Sequence, residues 1–208
     1  MKTLIIIDAQ NDFMPGGSLP VPDGDKIIPV INQLQSKFEL VVATQDWHPR
    51  SHVSFASNHP GKYPFEAIEL HGKPQTLWPD HCVQNTEGAF FHPKLQTERW
   101  EAIFRKGTDP AIDSYSAFFD NGHLKSTGLA GYLKEKGASQ LFFCGLAADI
   151  CVFYSIYDAF KEGFACFFIT DASQALDTQN FEKVKNEMHY LGIQFISAEE
   201  IGRNSHNL

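Results

Sequence analysis

Three residues able to bind a metal ion share one short stretch. In TQDWHPRSHVSF, residues 44–55, Asp46 stands two residues before His48 and six before His52. Residues two apart in extended backbone point to the same side, so Asp46 and His48 can close on one ion, and the loop through Pro49 and Arg50 can fold His52 back toward them. Carboxylate and imidazole ligands without a thiolate suit Zn²⁺, Fe²⁺ or Mn²⁺. On spacing alone, a loop whose histidines merely hydrogen-bond is the alternative. A further ligand must come from elsewhere, and TLWPDHCVQNTEGAFFHP, residues 76–93, offers His81 and His92. His81 is the better choice, because Trp78, Pro79 and Cys82 beside it read as a pocket wall. His59, His71, His123, His189 and His206 read as surface or packing histidines.

A second chemistry centres on Cys151, which follows an apolar run in GLAADIC and opens an amphipathic stretch. The N-terminus of a helix stabilises a thiolate, and its free N–H groups can receive an oxyanion. Cys144 and Cys166 fall inside apolar runs and read as packing residues. Cys82 is open on pattern alone. A thiol nucleophile needs a base. Asp8, at the end of the first apolar run, can serve if burial raises its pKa. Lys106 can stabilise the anions beside it. Taken singly, a strand-end aspartate is more often a cap and a lysine more often solvated. Their convergence with Cys151 weakens both bland readings.

The elements that would position these groups alternate. Residues 3–7, 39–44, 101–106, 140–145, 164–170 and 193–197 read as strands. Residues 23–37 (capped by Asp23), 126–137, 149–163 (started by Asp149) and 178–192 read as helices. Near-continuous apolar strands alternating with helices predict a three-layer α/β/α fold with a mostly parallel six-stranded sheet. In such sheets ligands bind beyond the carboxyl ends of the strands. Asp8, Asp46 with His48, Lys106 and Cys151 all fall at such ends. Residues 45–98 break the pattern and hold six of the eleven prolines and most of the nine histidines. Long stretches without regular structure are uncommon in compact domains and are often functional.

The 208 residues, 43% hydrophobic and 20% charged, fit one domain with a real core. A net charge of −8 without a basic run argues against nucleic acid. The apolar run before Asp8 is too short for a signal or membrane segment, and no later run is long enough to span a bilayer. Four scattered cysteines do not make a disulfide framework, so a reduced, cytoplasmic setting is expected.

Five segments in order, IIIDAQNDFMPGGSLPV, ATQDWHPRSHVSF, WPDHCVQNTEGAFFHP, KGTDPAIDSYSAF and CGLAADICV, resemble the nicotinamidase/pyrazinamidase group of the isochorismatase-like cysteine hydrolases. The match runs over nearly the whole chain. The resemblance implies a single domain over residues 1–208, with residues 45–98 as a metal-binding and pocket insertion. It implies a catalytic triad of Asp8, Lys106 and Cys151. It implies a divalent metal, Zn²⁺ before Fe²⁺ or Mn²⁺, on Asp46, His48 and His81, with His52 either a fourth ligand or linked through water. It implies a pocket of Phe13, Trp78 and Tyr115 around a flat pyridine ring. It implies an oxyanion hole from the backbone N–H groups of Ala148 and Cys151, with a cis peptide between Ala147 and Ala148. The family often has Thr where this chain has Ala148, and the position of Ile150 varies, which could alter the ring substituents that fit. The implied activity is hydrolysis of nicotinamide, with pyrazinamide as a close analogue and a homo-oligomer left open. Three other readings stand beside it. They are another amidase or isochorismatase-type hydrolase of the same fold, a metallohydrolase acting through zinc hydroxide, and a non-catalytic metal-binding protein. The last explains the loop but not Asp8, Lys106 and Cys151 on one sheet edge.

Overall fold

The computed structural model describes residues 1–204; His206 falls outside them. In chain order the elements are β1 (Lys2–Ile7), α1 (Ile27–Leu34), β2 (Leu40–Asp46), β3 (Ala67–Leu70), β4 (Lys73–Thr76), β5 (Ala102–Lys106), α2 (Leu129–Glu135), β6 (Gln140–Leu146), α3 (Phe153–Lys161), β7 (Ala165–Gln174), α4 (Thr178–Tyr190), β8 (Gln194–Ile196) and α5 (Ala198–Asn204). The main sheet has the order β5-β2-β1-β6-β7-β8, and every pair in it is parallel. Successive strand side chains face opposite ways, so β1 feeds two cores. Leu4 and Ile6 pack with Ile28 and Ile31 of α1 and Ile201 of α5. Ile5 and Ile7 pack with Leu133 of α2, Ile156 of α3 and Met188 of α4. Strands apolar on both faces have no solvent side, which is why they read as continuous apolar runs. Among the described residues no helix is long and apolar enough to cross a membrane.

The structure adjusts several expectations. Asp23 does not cap α1 with its side chain. It sits at φ 56°, and a short 3-10 turn over Gly24–Lys26 precedes the helix. Residues 45–98 are not wholly irregular, because β3 and β4 form an antiparallel hairpin. Its two-residue turn is His71 (φ 51°) and Gly72 (φ 74°), and positive φ at both positions is what a type I′ hairpin turn requires. Helix α5 was not expected, yet its start was readable. Ser197 Oγ accepts the Glu200 N–H at 3.3 Å, and the Glu200 carboxylate accepts the Ser197 N–H at 2.8 Å, a capping box.

All six parallel strands end on one edge. Asp8 follows β1, Asp46 closes β2, Lys106 closes β5, and Cys151 lies just beyond β6. Register puts Asp46 directly beside Lys106. Gly145, near the end of β6, has φ +117°, and a Cβ there would stand 2.0 Å from the Ile7 carbonyl oxygen. Only glycine lets β6 lie this close to β1 just before the turn that carries Cys151.

Gly145→Ala should therefore cost more than about 1 kcal/mol of stability, while Gly131→Ala, on the exposed face of α2, should be neutral or stabilising by up to about 1 kcal/mol. Thermal unfolding of both variants checks this, and equal melting temperatures would contradict it.

Candidate active site

The site is built around one buried ammonium group. Lys106, 2% exposed, places Nζ 2.9 Å from Asp8 Oδ2, 2.8 Å from Asp46 Oδ1, 3.1 Å from the Ser114 carbonyl oxygen and 3.6 Å from Cys151 Sγ. Asp8 leaves β1 at φ 44°, and its Oδ1 accepts the Thr44 hydroxyl at 2.6 Å, so the carboxylate is held from two strands. The sequence reading missed Thr44. It lies two residues before Asp46 on β2, and strand parity alone puts its side chain on the same side.

Burial sets the charges. It pushes the Asp8 carboxyl above the ordinary carboxylate range, against the pull of Lys106. Burial also opposes charge on Asp46, but His48 and Lys106 outweigh it and hold that carboxyl well below the usual range. Burial pushes the Cys151 thiol well up, Lys106 notwithstanding, and the nearby Asp8 and Asp46 add to the rise. For Lys106, burial is overcome by Asp46 and Asp8, and its pKa rises. A neutral thiol thus rests beside a carboxylate of raised basicity, with a fixed cation between them. That pair is arranged for proton transfer.

Asp46 uses its other oxygen on the metal-type group. Oδ2 lies 3.1 Å from His48 Nε2 and 3.5 Å from His81 Nε2. His48 Nδ1 is 2.9 Å from the Gly107 carbonyl oxygen, and His81 Nδ1 is 2.7 Å from that of Pro79. A carbonyl can only accept, so Nδ1 carries a proton in both rings, and each Nε2 faces Asp46 Oδ2, whose charge raises the His48 pKa against burial. One carboxylate oxygen and two such nitrogens, close together and buried, could hold a divalent ion. Gly107 makes room for this arrangement, because a Cβ there would stand 2.3 Å from the His48 ring.

His52 is grouped differently. It forms a second close trio with His48 and Asp113. Its Nδ1 lies 2.7 Å from Ser54 Oγ and 3.3 Å from the Ser54 nitrogen, and its Nε2 faces the Ile112 carbonyl oxygen at 3.3 Å. Burial and His48 lower its pKa to about 4, so the ring is neutral. His92 lies apart from both trios. His59, His71, His123 and His189 are surface or packing residues, bonding backbone carbonyls or, in the case of His123 and His189, stacking on Phe119 and Phe195. Cys82, Cys144 and Cys166 are buried core residues, and all four thiols are free.

Phe13, Trp78, Tyr115 and Cys151 line one cleft together with Asp46, His81 and Asp113. Leu19, Val21, Ala147, Ile150 and Leu176 complete it; of these apolar walls only Ile150 was expected from the sequence to bear on which ring fits. Asp12 ties two of these loops together. Its carboxylate accepts the Cys82 N–H at 2.7 Å and the Ser18 hydroxyl at 3.0 Å, linking the loop of Phe13 to that of His81.

Ala148–Val152 forms a π-helical turn, with Ile150 and Val152 both donating to the Ala147 carbonyl oxygen. The cis peptide lies one residue earlier than expected, between Leu146 and Ala147. The strand runs through Leu146, Ala147 is extended, and Ala148 already belongs to the turn, so the chain changes direction before Ala147. Asp149 was expected to start the helix. Its carboxylate instead accepts the N–H groups of Leu176 and Asp177, at 2.8 and 3.1 Å.

A thiol, a carboxylate and a lysine at the carboxyl edge of a parallel α/β sheet define the architecture of a cysteine hydrolase. Residues 2–200 match the Isochorismatase domain, and the chain belongs to that family. A nicotinamidase of Acinetobacter baylyi is 49% identical over 95% of this chain and 93% of its own length. The structure of a nicotinamidase/pyrazinamidase of Acinetobacter baumannii superposes with a TM-score of 0.94 at 48% identity, covering 96% of this chain and 97% of that one. An enzyme of L. infantum in complex with nicotinate superposes at 0.86 with 39% identity, covering 96% and 94%. A pyrazinamidase of Pyrococcus horikoshii in complex with zinc superposes at 0.78 with 38% identity, covering 94% and 98%.

Among the described residues Lys106 is the one lysine or arginine paired with Asp8 or Asp46. Lys106→Met should cost about 3–5 kcal/mol at neutral pH, the scale for orphaning a buried charge. Without the cation the Asp8 carboxyl, already raised by burial, rises further, and Asp46 loses one of the groups that hold it down, so the penalty is full at neutral pH and shrinks as falling pH protonates Asp8. Thermal unfolding from neutral to acid pH checks this, and a pH-independent deficit would contradict it.

Proposed function

We propose that this protein hydrolyses nicotinamide to nicotinate and ammonia, with pyrazinamide as a close alternative substrate, and so serves NAD salvage. The observation that carries the reading is the Lys106 ammonium in contact with Asp8, Asp46 and Cys151 at once. It is supported by the relatives of like activity and by the cleft's flat aromatic walls beside the thiol.

Asp8 takes the thiol proton of Cys151, and Lys106 offsets the negative charge that the pair then shares. The thiolate attacks the carboxamide carbon, and the oxyanion is received by the backbone N–H groups of Ala148 and Cys151. Asp8 returns the proton to the departing nitrogen, ammonia leaves, and an acyl thioester remains. Asp8 then takes a proton from water as the water attacks the thioester. Collapse releases nicotinate and restores the thiol. Phe13, Trp78 and Tyr115 restrict the ring to one plane, so the carboxamide meets Cys151 in a fixed orientation.

Asp46, His48 and His81 would hold one divalent ion, Zn²⁺ by preference and Fe²⁺ or Mn²⁺ as alternatives. When bound, that ion supplies a Lewis acid for the ring nitrogen. His52, neutral and bonded at both nitrogens, acts beside this group rather than as a direct ligand. Residues 45–98 thus serve as the insertion that supplies the metal group and a pocket wall to a single domain. A cytoplasmic setting belongs to the same reading, supported by the four free thiols. Association into a homo-oligomer is compatible with it.

Ammonia release from nicotinamide tests the activity. Cys151→Ala and Asp8→Asn should each lower kcat by several decades, and the double variant should be little worse than either, because groups acting as one unit give non-additive losses. If Cys151→Ala kept most of the activity, a thiol mechanism would be ruled out in favour of a metal-hydroxide one.

Metal content is checked separately. Elemental analysis should find about one divalent ion per chain, His81→Ala should lose most of it, and a strong chelator should abolish turnover. Fully active protein without metal would contradict this part.

A further inference from the structure

We propose that Asp149 is a positioning residue that locks the oxyanion-receiving turn to the adjoining pocket wall at Leu176, so that it favours the transition state over the bound substrate. The inference rests on the amide-hydrolysis reading above and adds to it a residue that neither touches substrate nor binds metal.

Asp149 sits inside the turn that carries Ala148 and Cys151, and it is 1% exposed. A carboxylate so buried must be matched by donors. Here the donors come from one place, the loop entering α4. Leu176 N donates to Oδ1 at 2.8 Å, Asp177 N donates to Oδ2 at 3.1 Å, and Asn180 Nδ2 lies 3.4 Å from Oδ2 and 3.3 Å from the Asp149 carbonyl oxygen. Asp177 in turn accepts the Asn180 N–H at 2.8 Å, which closes the loop onto the helix. Ordinary capping would turn Asp149 back on its own helix. The side chain instead spans to a separate segment.

The two segments it joins are both walls of the cleft. Ala147, Ile150 and Cys151 line it from the turn, and Leu176 lines it from the loop. The turn is a single wide coil, with Ile150 and Val152 sharing one acceptor, the Ala147 carbonyl oxygen. Charge-assisted bonds from the Leu176 and Asp177 N–H groups hold this turn from outside. Charge placement agrees with this role. Both of the anion's oxygens are taken up by donors of the 176–180 segment. The turn therefore gains an anchor whose negative charge is already matched by hydrogen-bond donors.

A group that sets donor direction matters most when charge has formed on the carbonyl oxygen, and little when neutral amide binds. Asp149→Asn is the test, because it keeps size and one acceptor but sets an NH₂ against one of the two backbone N–H donors. Nicotinaldehyde is the probe of the oxyanion, since its carbonyl can add to the Cys151 thiol, and nicotinate is the probe of ring binding alone. Asp149→Asn should lower kcat about 10–100-fold, the scale of a small misplacement of reacting groups. The KM for nicotinamide and inhibition by nicotinate should stay within about threefold, and inhibition by nicotinaldehyde should weaken by the same factor as kcat/KM. Rates are taken per active site, counted by stoichiometric alkylation of Cys151, so that a loss of folded protein does not register. Asn180→Ala, a milder loosening of the same strap, should move kcat and aldehyde inhibition in the same direction by a smaller factor, and it answers the question if Asp149→Asn does not fold. Unchanged kcat per active site, or a loss shared equally by nicotinate and nicotinaldehyde, overturns the proposal. Wild-type protein that does not hydrolyse nicotinamide at all would instead overturn the underlying reading.

Discussion

The ammonium group of Lys106 is the contact on which the site depends. Two aspartates that would repel one another are brought within reach of a single nitrogen, at 2.9 and 2.8 Å, in a position closed to water. Removing such a charge from water costs several kcal/mol, and only close opposite charges and hydrogen bonds offset that. Both conditions are met here. Asp46 divides its two oxygens, one for the lysine and one facing the histidine pair, so the acid–base half of the site and the metal-type half share one carboxylate. The thiol lies on the lysine side of that division.

Around this centre the fold supplies direction more than contact. Four of the six parallel strands each deliver a group at their carboxyl end, and residues away from the chemistry keep those ends together. Thr44 ties β2 to Asp8, and Gln10 brackets the backbone of Asp46 by accepting its N–H and donating to its carbonyl oxygen. Asp12 joins the loop of Phe13 to that of His81. These bonds run between segments far apart in sequence, and each satisfies a buried polar group that would otherwise weigh against folding.

The sheet was legible because strands buried on both faces leave continuous apolar runs, and five of the six were found within two residues of their true limits, while β7 runs four residues further than expected. Asp8, Asp46, Lys106 and Cys151 were legible for a related reason, since a polar residue ending an apolar run stands out. Pattern reading failed where the partner is remote. Nothing local tells that Asp149 turns away from its own helix toward Leu176, or that His52 shares its surroundings with Asp113. Helix α5 and the hairpin of β3 and β4 are a different case. The Ser197–Glu200 box and the His71–Gly72 turn were written in the sequence but sit in short elements whose periodicity is too brief to notice.

Strand β5 lies at the edge of the sheet and pairs only with β2, while β1, β2, β6 and β7 are held on both sides. Local opening in proteins begins where backbone bonding is one-sided, and Lys106 is the last residue of that edge strand. Amide hydrogens of β5 should exchange with solvent sooner than those of β1 or β6. Each opening would carry the lysine away from two buried carboxylates while the rest of the sheet stayed folded. Heat inactivation of such a molecule would begin as a fraying of one border strand, at temperatures where the spectroscopic signature of the α/β core is still intact.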